Sequence, residues 1–259
     1  MSRPLSVVVP AFNEEQRLPA LLDAFETGAG DAFAAAGFDL HELVVVDDGS
    51  TDGTAALLEA RAARLPALEV IRLPENRGKG AAVRAGMLAA TAPVALLTDA
   101  DLATPLGEVG ALAVGLDGGY DVAIGSRGLP GSTIVVHQPA HRELLGKTFN
   151  VLARTLTGLP FHDTQCGFKL FDLRTSRRLF ELQRIDGFAY DAELLVLARC
   201  LGLRVAEIPV RWSNDERTSV GIVRAPLQMA RDLLRIAWLA RVGSRSRTFA
   251  AEPAERQSA

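Results

Sequence analysis

Short apolar runs alternate along the first half of the chain with longer segments whose apolar residues recur at helical spacing. The apolar runs predict strands near residues 5–10, 43–47, 68–73, 93–98 and 121–125. The periodic segments predict helices near residues 14–26, 53–64, 79–91 and 105–115. Strands that alternate with helices in this order form right-handed crossovers, so the sequence predicts an α/β fold with a mostly parallel central sheet.

The pattern changes after Arg127. A loop rich in Gly and Pro is predicted as far as Pro139, followed by a helix near 140–157 and a short apolar run at 167–171. Further helices are predicted near residues 174–183, 190–201 and 223–241. The tail at 242–259 is rich in Ser, Arg, Glu and Pro, so we expect it to be disordered.

Acidic side chains follow three of the predicted strands at the point where each strand ends. They are Glu14, Asp47, Asp48, Asp99 and Asp101. Because parallel strands end at the same edge of a sheet, we expect these carboxylates to surround one site. Asp99-Ala-Asp101 offers two hard oxygen ligands for a divalent cation that could hold a nucleotide diphosphate. The alternative for an isolated pair of this kind is a solvated turn.

Four motifs together resemble the inverting glycosyltransferases of family 2. They are Val7-Val-Val-Pro-Ala-Phe-Asn-Glu-Glu15, Val45-Val-Asp-Asp-Gly-Ser-Thr-Asp-Gly-Thr54, Asn76-Arg-Gly-Lys-Gly80 and Asp99-Ala-Asp101. Three later segments resemble the dolichyl-phosphate glucosyltransferases and, more distantly, the dolichyl-phosphate mannose synthases. They are Gly125-Ser-Arg127, Asp163-Thr-Gln-Cys-Gly-Phe-Lys-Leu-Phe171 and Phe188-Ala-Tyr-Asp-Ala-Glu-Leu-Leu195. The resemblance covers residues 5–238 and implies the GT-A fold.

The resemblance also implies how the chain is organised. We expect one GT-A domain over residues 1–241, which is a size that a single globular unit can reach. Within it, residues 1–126 form a nucleotide-sugar half and residues 127–241 form an acceptor half. The resemblance further implies a divalent cation, Mg²⁺ or Mn²⁺, with Asp101 as its main ligand and Asp99 beside it or on the ribose.

Other residues of the nucleotide-sugar half receive roles by resemblance. Pro10, Phe12 and Glu14 are expected to line the nucleotide pocket. Asp47, with Asp48 next to it, is expected to accept a hydrogen bond from the base imide; the alternative is an Asx turn, and the two are compatible if Asp52 is the local cap. Lys79 begins a predicted helix in a Gly-flanked loop, where it either contacts phosphate or is solvated.

The expected acceptor is a polyprenyl phosphate, which is already ionised at neutral pH and needs cations rather than a general base. By resemblance Arg127 and Arg142 bind this phosphate, and Arg217 is a third candidate. Mannose synthases often carry Ser one helical turn after the second of these Arg residues, where this chain has Gly146.

Two further carboxylates, those of Asp191 and Asp163, each have two possible roles. Asp191 matches the position of a catalytic base in relatives that act on hydroxyl groups, or it complements the dipole at a helix start. Asp163 either faces the sugar or orders its turn. The catalytic candidates are therefore Asp101, Arg127 and Asp191.

The sequence thus predicts transfer of glucose from UDP-glucose to a dolichyl-like phosphate with release of UDP. The chain departs from the mannose synthases at Ala103, because those enzymes usually have Gln soon after the second Asp of the metal motif. The alternatives are GDP-mannose or another donor, a soluble hydroxyl acceptor with Asp191 as base, and a nucleotidyltransferase or non-catalytic nucleotide-binding module. A nucleotidyltransferase would show a Gly-rich loop with Arg and Lys after the first strand, and Pro10-Ala-Phe-Asn-Glu14 lacks it.

The net charge and the hydropathy of the chain limit which binding partners and which cellular location we expect. A net charge of −3 argues against a nucleic-acid partner, and the two cysteines show no metal-ligand spacing, as expected for reduced thiols in the cytoplasm. We expect neither a signal peptide nor a transmembrane helix. The helix at 223–241 has Leu227, Ala230, Leu234, Ala237 and Trp238 along one predicted stripe. It either lies on a membrane as a peripheral anchor or packs on the domain.

Overall fold

The structure is a computed structural model that describes residues 2–214 and 224–243. Its strands are β1 (Arg3–Ala11), β2 (Phe38–Asp47), β3 (Leu68–Arg72), β4 (Val94–Leu97), β5 (Val122–Ser126), β6 (Thr133–Val136), β7 (Lys169–Asp172), β8 (Val205–Pro209) and β9 (Arg211–Ser213). Its α-helices are α1 (Leu18–Thr27), α2 (Ala29–Ala35), α3 (Thr54–Ala62), α4 (Lys79–Ala89), α5 (Val109–Asp117), α6 (Ala140–Thr157), α7 (Leu173–Leu182), α8 (Tyr190–Cys200) and α9 (Arg224–Gly243). A 3₁₀ turn, Leu106–Glu108, precedes α5.

Seven strands form one sheet in the order β3-β2-β1-β4-β7-β5-β8. All neighbouring pairs are parallel except those of β7, which runs antiparallel to both β4 and β5. Strands β6 and β9 form a separate parallel ribbon. The order confirms the predicted mostly parallel sheet, and it places the ends of β1, β2 and β4 side by side.

Helices cover both faces of the sheet because the buried strands are apolar on both sides. Along β1, Val7 and Val9 pack with apolar residues of α1, α2 and α5, whereas Val8 packs with residues of α4, α7 and α8. All three valines are fully buried. This two-sided core fixes the strands whose ends carry the acidic residues.

Several boundaries differ from the prediction. The first helix begins at Leu18 rather than near residue 14, because Glu14–Arg17 forms a turn after Asn13, whose φ is 55°. The loop predicted as far as Pro139 contains β6, because Thr133–Val136 pairs with the distant β9. The apolar run at 167–171 supplies β7. Residues 244–259 of the predicted disordered tail lie outside the described residues, and residues 242 and 243 are part of α9.

Helix α9 is present, but its predicted single apolar stripe is wrong. Ala237 is buried, whereas Leu234 and Trp238 are exposed, so these residues lie on two sides of the helix. The sequence could not separate the two sides, because apolar residues occur on both. Within residues 2–214 and 224–243, no helix has both the length and the apolar content of a membrane span.

Candidate functional site

The turns after β1 and β2 are tied to each other. The backbone N–H of Asn13 donates to Ser50 Oγ at 2.9 Å, and that of Thr51 donates to Asn13 Oδ1 at 2.9 Å. A direct backbone bond of 2.8 Å from Asp48 N–H to the Ala11 carbonyl adds to this connection. The two turns therefore present their side chains from one connected edge of the sheet.

Asp47 at the end of β2 combines a turn contact with an unsatisfied acceptor. Its Oδ1 accepts from the Ser50 N–H at 2.8 Å, while its buried Oδ2 has no hydrogen-bond partner and lies 3.4 Å from Arg72 Nε. A buried carboxylate oxygen without a donor is an acceptor available to a ligand N–H. The Asx-turn interpretation is thus supported by geometry, and it leaves the second oxygen available for a base.

Asp48 has a different environment. Its two oxygens accept from the backbone N–H groups of Arg77 and Gly78 at 2.9 and 2.8 Å, which fixes the loop before α4. Burial raises the pKa of Asp48, although these bonds oppose the rise. The N-cap of α3 is Gly53 rather than Asp52, but Asp52 Oδ1 accepts from Thr54 N–H at 2.9 Å and so binds the first N–H of that helix. A direct contact of Asp48 with nucleotide remains a prediction.

The structure places the first-strand candidates at the same edge. Pro10 is buried beside Val46 of β2, and Phe12 follows half-buried in the turn. Glu14 is buried and accepts from Arg17 Nε at 2.5 Å, and burial raises its pKa. The same Arg17 reaches Asp101, with its Nη1 3.9 Å from Asp101 Oδ2. Sequence reasoning missed Arg17, whose only signal is its position one turn after Glu14.

Asp99 and Asp101 lie beyond β4 in unequal surroundings. Lys79 Nζ lies 2.6 Å from Asp99 Oδ1, so the predicted phosphate lysine is paired with a predicted metal ligand. Burial alone would raise the pKa of Asp99, but Lys79 brings it below its ordinary value. Asp101 Oδ1 accepts from Ala103 N–H at 2.9 Å, and burial followed by the charge of Asp99 raises the pKa of Asp101.

These two carboxylates fit a divalent cation only in part. Among residues 2–214 and 224–243, no group of three or more His, Cys, Asp or Glu side chains could hold a metal ion. Asp99 and Asp101 supply two hard oxygen donors, and the ammonium of Lys79 already places a positive charge against one of them. A cation here would need oxygens of the bound diphosphate to complete its coordination.

A buried ion pair lies beside the partly exposed pair of Lys79 and Asp99. Lys169 in β7 is 1% exposed, and its Nζ donates to Asp191 Oδ1 at 2.5 Å and to the carbonyl of Cys166. Burial raises the pKa of Asp191 more than Lys169 lowers it. Gly167, two residues before Lys169, packs so closely on Asp99 that any Cβ at this position would collide with the carboxylate. Thus β7 and the turn before it contact both aspartates.

Lys169 was also missed by sequence reasoning. The available signal was a lysine in the middle of the apolar run Gly167-Phe-Lys-Leu-Phe171. A charged side chain is stable inside a buried strand only when an opposite charge or hydrogen bonds compensate its charge. A lysine at this position therefore predicts a buried carboxylate nearby.

A third ion pair, between Arg127 and Asp163, lies in the part of the chain for which an acceptor role is predicted. Arg127 Nε and Nη2 donate to the two oxygens of Asp163 at 2.6 and 2.9 Å, and its guanidinium lies 5.4 Å from the Trp212 ring centre. Burial acts to raise the pKa of Asp163, but Arg127 lowers it to about 2. Asp163 also accepts from Gln165 N–H at 3.1 Å, so it orders its turn as one of the two interpretations predicted.

A cavity of about 350 Å³ opens beside this pair. One side of α6, including Gly146 and Asn150, forms a wall, and the cavity is further lined by Arg127, Lys147, Arg154, His162 and Trp212. The carboxylates of Asp163 and Glu143 also line it, paired with Arg127 and Lys147. Three cationic side chains therefore face two carboxylates, a balance that favours an anion with Arg154 as the added positive charge. Arg142 lies in α6, but its side chain is not among those described, and Arg217 lies outside the described residues.

Comparison with known proteins shows to which protein family this chain belongs. The model of the family "Glycosyl transferase family 2" matches residues 6–180. The chain belongs to glycosyl transferase family 2. It is 38% identical over 242 residues to the dolichyl-phosphate beta-glucosyltransferase of Drosophila melanogaster, covering 90% of this chain and 74% of that protein. The enzyme of that name from Homo sapiens is 34% identical over 243 residues, covering 91% and 75%.

Solved structures of two sugar-transferring synthases show the same fold. The glucosyl-3-phosphoglycerate synthase of Mycobacterium tuberculosis with Mn²⁺, UDP-glucose and phosphoglyceric acid aligns at a TM-score of 0.61 with 22% identity, covering 91% of this chain and 80% of that one. The mannosyl-3-phosphoglycerate synthase of Rubrobacter xylanophilus aligns at 0.64 with 20% identity, covering 96% and 78%. The predicted GT-A fold and family membership are confirmed, and the chain is a glycosyltransferase.

Proposed function

We propose that this glycosyltransferase moves glucose from UDP-glucose to a polyprenyl phosphate of the dolichyl type, with inversion at the sugar and release of UDP. The observation that carries the proposal is the adjacency of two sites. The carboxylate of Asp99 contacts Gly167 just before β7, and Asp163 in the same connecting turn holds Arg127 at the cavity lined by α6. The similarity to dolichyl-phosphate glucosyltransferases supports the choice of sugar and acceptor.

The donor is held at the ends of β1, β2 and β4. Asp47 Oδ2, which has no hydrogen-bond partner and is near Arg72, accepts the imide N–H of uracil, and Pro10, Phe12 and Glu14 surround the nucleoside. Asp99 and Asp101 would hold a divalent cation, Mg²⁺ or Mn²⁺, which would supply positive charge to neutralise the leaving diphosphate. Lys79 stands at the start of α4, where its charge and the helix dipole both favour a phosphate.

The acceptor phosphate enters the cavity lined by α6. Its oxygens are ionised and act as the nucleophile, so the residues must position the phosphate and screen its charge rather than remove a proton. Asp163 holds the guanidinium of Arg127 in one orientation, and Arg154 adds positive charge along the same wall. Arg142 and Arg217 complete the set by resemblance. Asp191 acts here as a positioning residue, because Lys169 occupies its Oδ1.

One incubation tests donor and acceptor together. The purified enzyme is given radiolabelled UDP-glucose, UDP-GlcNAc or GDP-mannose with a polyprenyl phosphate, and the products are extracted into organic solvent. We expect label in the organic phase with UDP-glucose. Extractable label from GDP-mannose alone would overturn the donor assignment. Label found only in water-soluble products, when phosphoglyceric acid or another hydroxyl compound is added, would overturn the lipid acceptor.

Substitutions at the two halves separate the phosphate acceptor from a hydroxyl acceptor. Arg127→Ala should raise the KM for polyprenyl phosphate or lower kcat while the Kd for UDP stays within about twofold of wild type. Arg178→Ala is the matched control, since Arg178 is an exposed arginine paired with Glu181 on α7. Asp191→Asn should retain measurable turnover. A folded Asp191→Asn enzyme with no turnover would favour the hydroxyl-acceptor alternative with Asp191 as base.

The proposal includes peripheral contact with the cytoplasmic face of a membrane, because a polyprenyl phosphate is embedded in a bilayer.

A further inference from the structure

Exposed apolar side chains are concentrated in one part of the molecule. Of the thirteen large apolar side chains that are exposed in the described residues, nine lie on β6, α6 and α9. The other four, Val70, Leu88, Val114 and Tyr120, are scattered over the nucleotide-sugar half. Single exposed apolar residues are ordinary, whereas a concentration of them marks an interaction surface.

On α6 these residues repeat at a spacing that keeps them on one side of the helix. They are Leu144, Leu145, Val151 and Leu152, so each pair recurs after seven residues, or two helical turns. Ala153 and Thr157 are buried against the rest of the protein. The exposed row is therefore additional to the side by which α6 packs.

On α9 the exposed row is formed by Leu234, Trp238 and Val242, which are spaced four residues apart. Leu233, Ile236 and Ala240 form its buried side. Helices α6 and α9 pack against each other, so the two rows belong to neighbouring surface helices. We call these seven residues of the two helices the α6–α9 face; each is between 40% and 66% exposed.

We propose that the α6–α9 face docks the enzyme on a phospholipid bilayer that contains anionic headgroups. The charges beside the α9 row favour this occupant: Arg231 and Arg235 have side chains that are 64% and 63% exposed, and the two share one buried carboxylate, that of Asp232, so a net positive charge borders the row. Lys147 beside the α6 row is paired with Glu143 and adds no net charge. An apolar row bordered by cations is the arrangement of helices that lie in the headgroup region.

The position of α6 connects the proposed docking with the proposed acceptor site. The same helix that carries the exposed Leu145 and Leu152 lines the cationic cavity through Gly146, Asn150 and Arg154. A helix at the bilayer surface would thus bring the cavity to the depth at which a lipid phosphate lies, without removing the acceptor from the membrane. This step rests on the proposed function, since it requires a lipid acceptor.

The test compares wild-type enzyme with two variants of the full chain. The face variant carries Leu145→Ser, Leu152→Ser, Leu234→Ser and Trp238→Ser. The control variant carries Val114→Ser and Tyr120→Ser, which remove exposed apolar side chains elsewhere. Co-sedimentation is measured with vesicles of phosphatidylcholine, with and without phosphatidylglycerol, at low and high salt. We expect the face variant to lose binding by about tenfold or more, and the control variant to bind as wild type does.

Three outcomes would overturn the docking. They are absence of wild-type binding, equal binding by the face variant, and a concentration-dependent dimer of the wild type that the face variant loses. The dimer would assign the face to a second copy of this chain. Circular dichroism and thermal melting confirm that each variant is folded.

A parallel assay separates this proposal from the proposed function. With a short-chain, water-soluble polyprenyl phosphate, the face variant should transfer glucose at the wild-type rate, whereas with a long-chain acceptor embedded in vesicles its rate should fall by about tenfold. Normal vesicle binding with no transfer to either acceptor would refute the function but leave the docking intact. Transfer to the short-chain acceptor with no vesicle binding would refute the docking alone.

Discussion

The two halves of the molecule build their sites in different ways. In the nucleotide-sugar half, polar side chains project from the ends of neighbouring buried strands, and backbone hydrogen bonds between turns hold them. In the acceptor half, the cavity is formed by the β6–β9 ribbon, a turn and α6, whose other side exposes apolar residues. In the first arrangement, hydrogen bonds between turns fix the residues that we propose for the donor. The second is peripheral to the sheet, so the proposed acceptor site can vary without altering the strands that carry the proposed donor residues.

Loss of charge at Asp101 should have the largest effect. Asp101→Asn keeps an oxygen for the Ala103 N–H but lowers the attraction for a cation, so we expect kcat to fall by about a thousandfold. Steady-state kinetics with UDP-glucose measures the change, and Asp117→Asn, at an exposed carboxylate paired with Arg3, is the control. Wild-type activity that survives EDTA would contradict the metal role.

Lys169→Met should mainly affect stability. It leaves Asp191 buried without its ion-pair partner, which typically costs about 3 kcal/mol in free energy of unfolding. Urea denaturation measures this loss, and Lys147→Met, at an exposed lysine paired with Glu143, should change it by less than about 1 kcal/mol. The double variant Lys169→Met/Asp191→Leu should recover part of the loss. A double variant as unstable as the single one would show that the pairing with Asp191 is not the cause.

Asp47→Asn should weaken nucleotide binding more than folding. An asparagine can keep the bond from the Ser50 N–H through its carbonyl oxygen, but the NH₂ group that then replaces Oδ2 can only donate, so we expect the Kd for UDP to rise by about fiftyfold. Isothermal titration calorimetry measures this change. Unaltered UDP affinity in the folded variant would remove the base contact from the donor site.

Acid titration should show a smaller effect in the acceptor half. The pKa of Asp163 is about 2 in the folded protein, below its ordinary value of 3.8. A depressed pKa contributes stability above pH 4 that is lost as the pH falls toward 2, amounting to about 2 kcal/mol. The difference in free energy of unfolding between wild type and Asp163→Asn should shrink over this range. A difference that stays constant from pH 5 to about pH 2 would contradict the pairing with Arg127.

Local patterns predicted the donor edge well, because a strand and the acidic turn after it are adjacent in the chain. Asp47, Asp99 and Asp101 could be placed at one edge for this reason. The pairing of Asp163 with Arg127 and that of Lys169 with Asp191 join segments 36 and 22 residues apart, and no local pattern specifies them. The antiparallel β7 and the β6–β9 ribbon depend in the same way on distant partners, and α9 shows that apolar spacing alone cannot tell a buried side from an exposed one.

The reversed direction of β7 also bears on how such enzymes can diversify. Because β7 starts at the edge where β4 and β5 end, the chain leaves the sheet after β5 and returns at the same edge. The segment between Ser126 and Lys169, although it contains β6 and α6, therefore begins and ends at the same edge of the sheet, beside the proposed donor site. We infer that the sequence of this segment, and the acceptor that it selects, can change while the strands that carry the proposed donor residues stay the same, provided that β6 keeps its pairing with β9 and α6 its packing against α9.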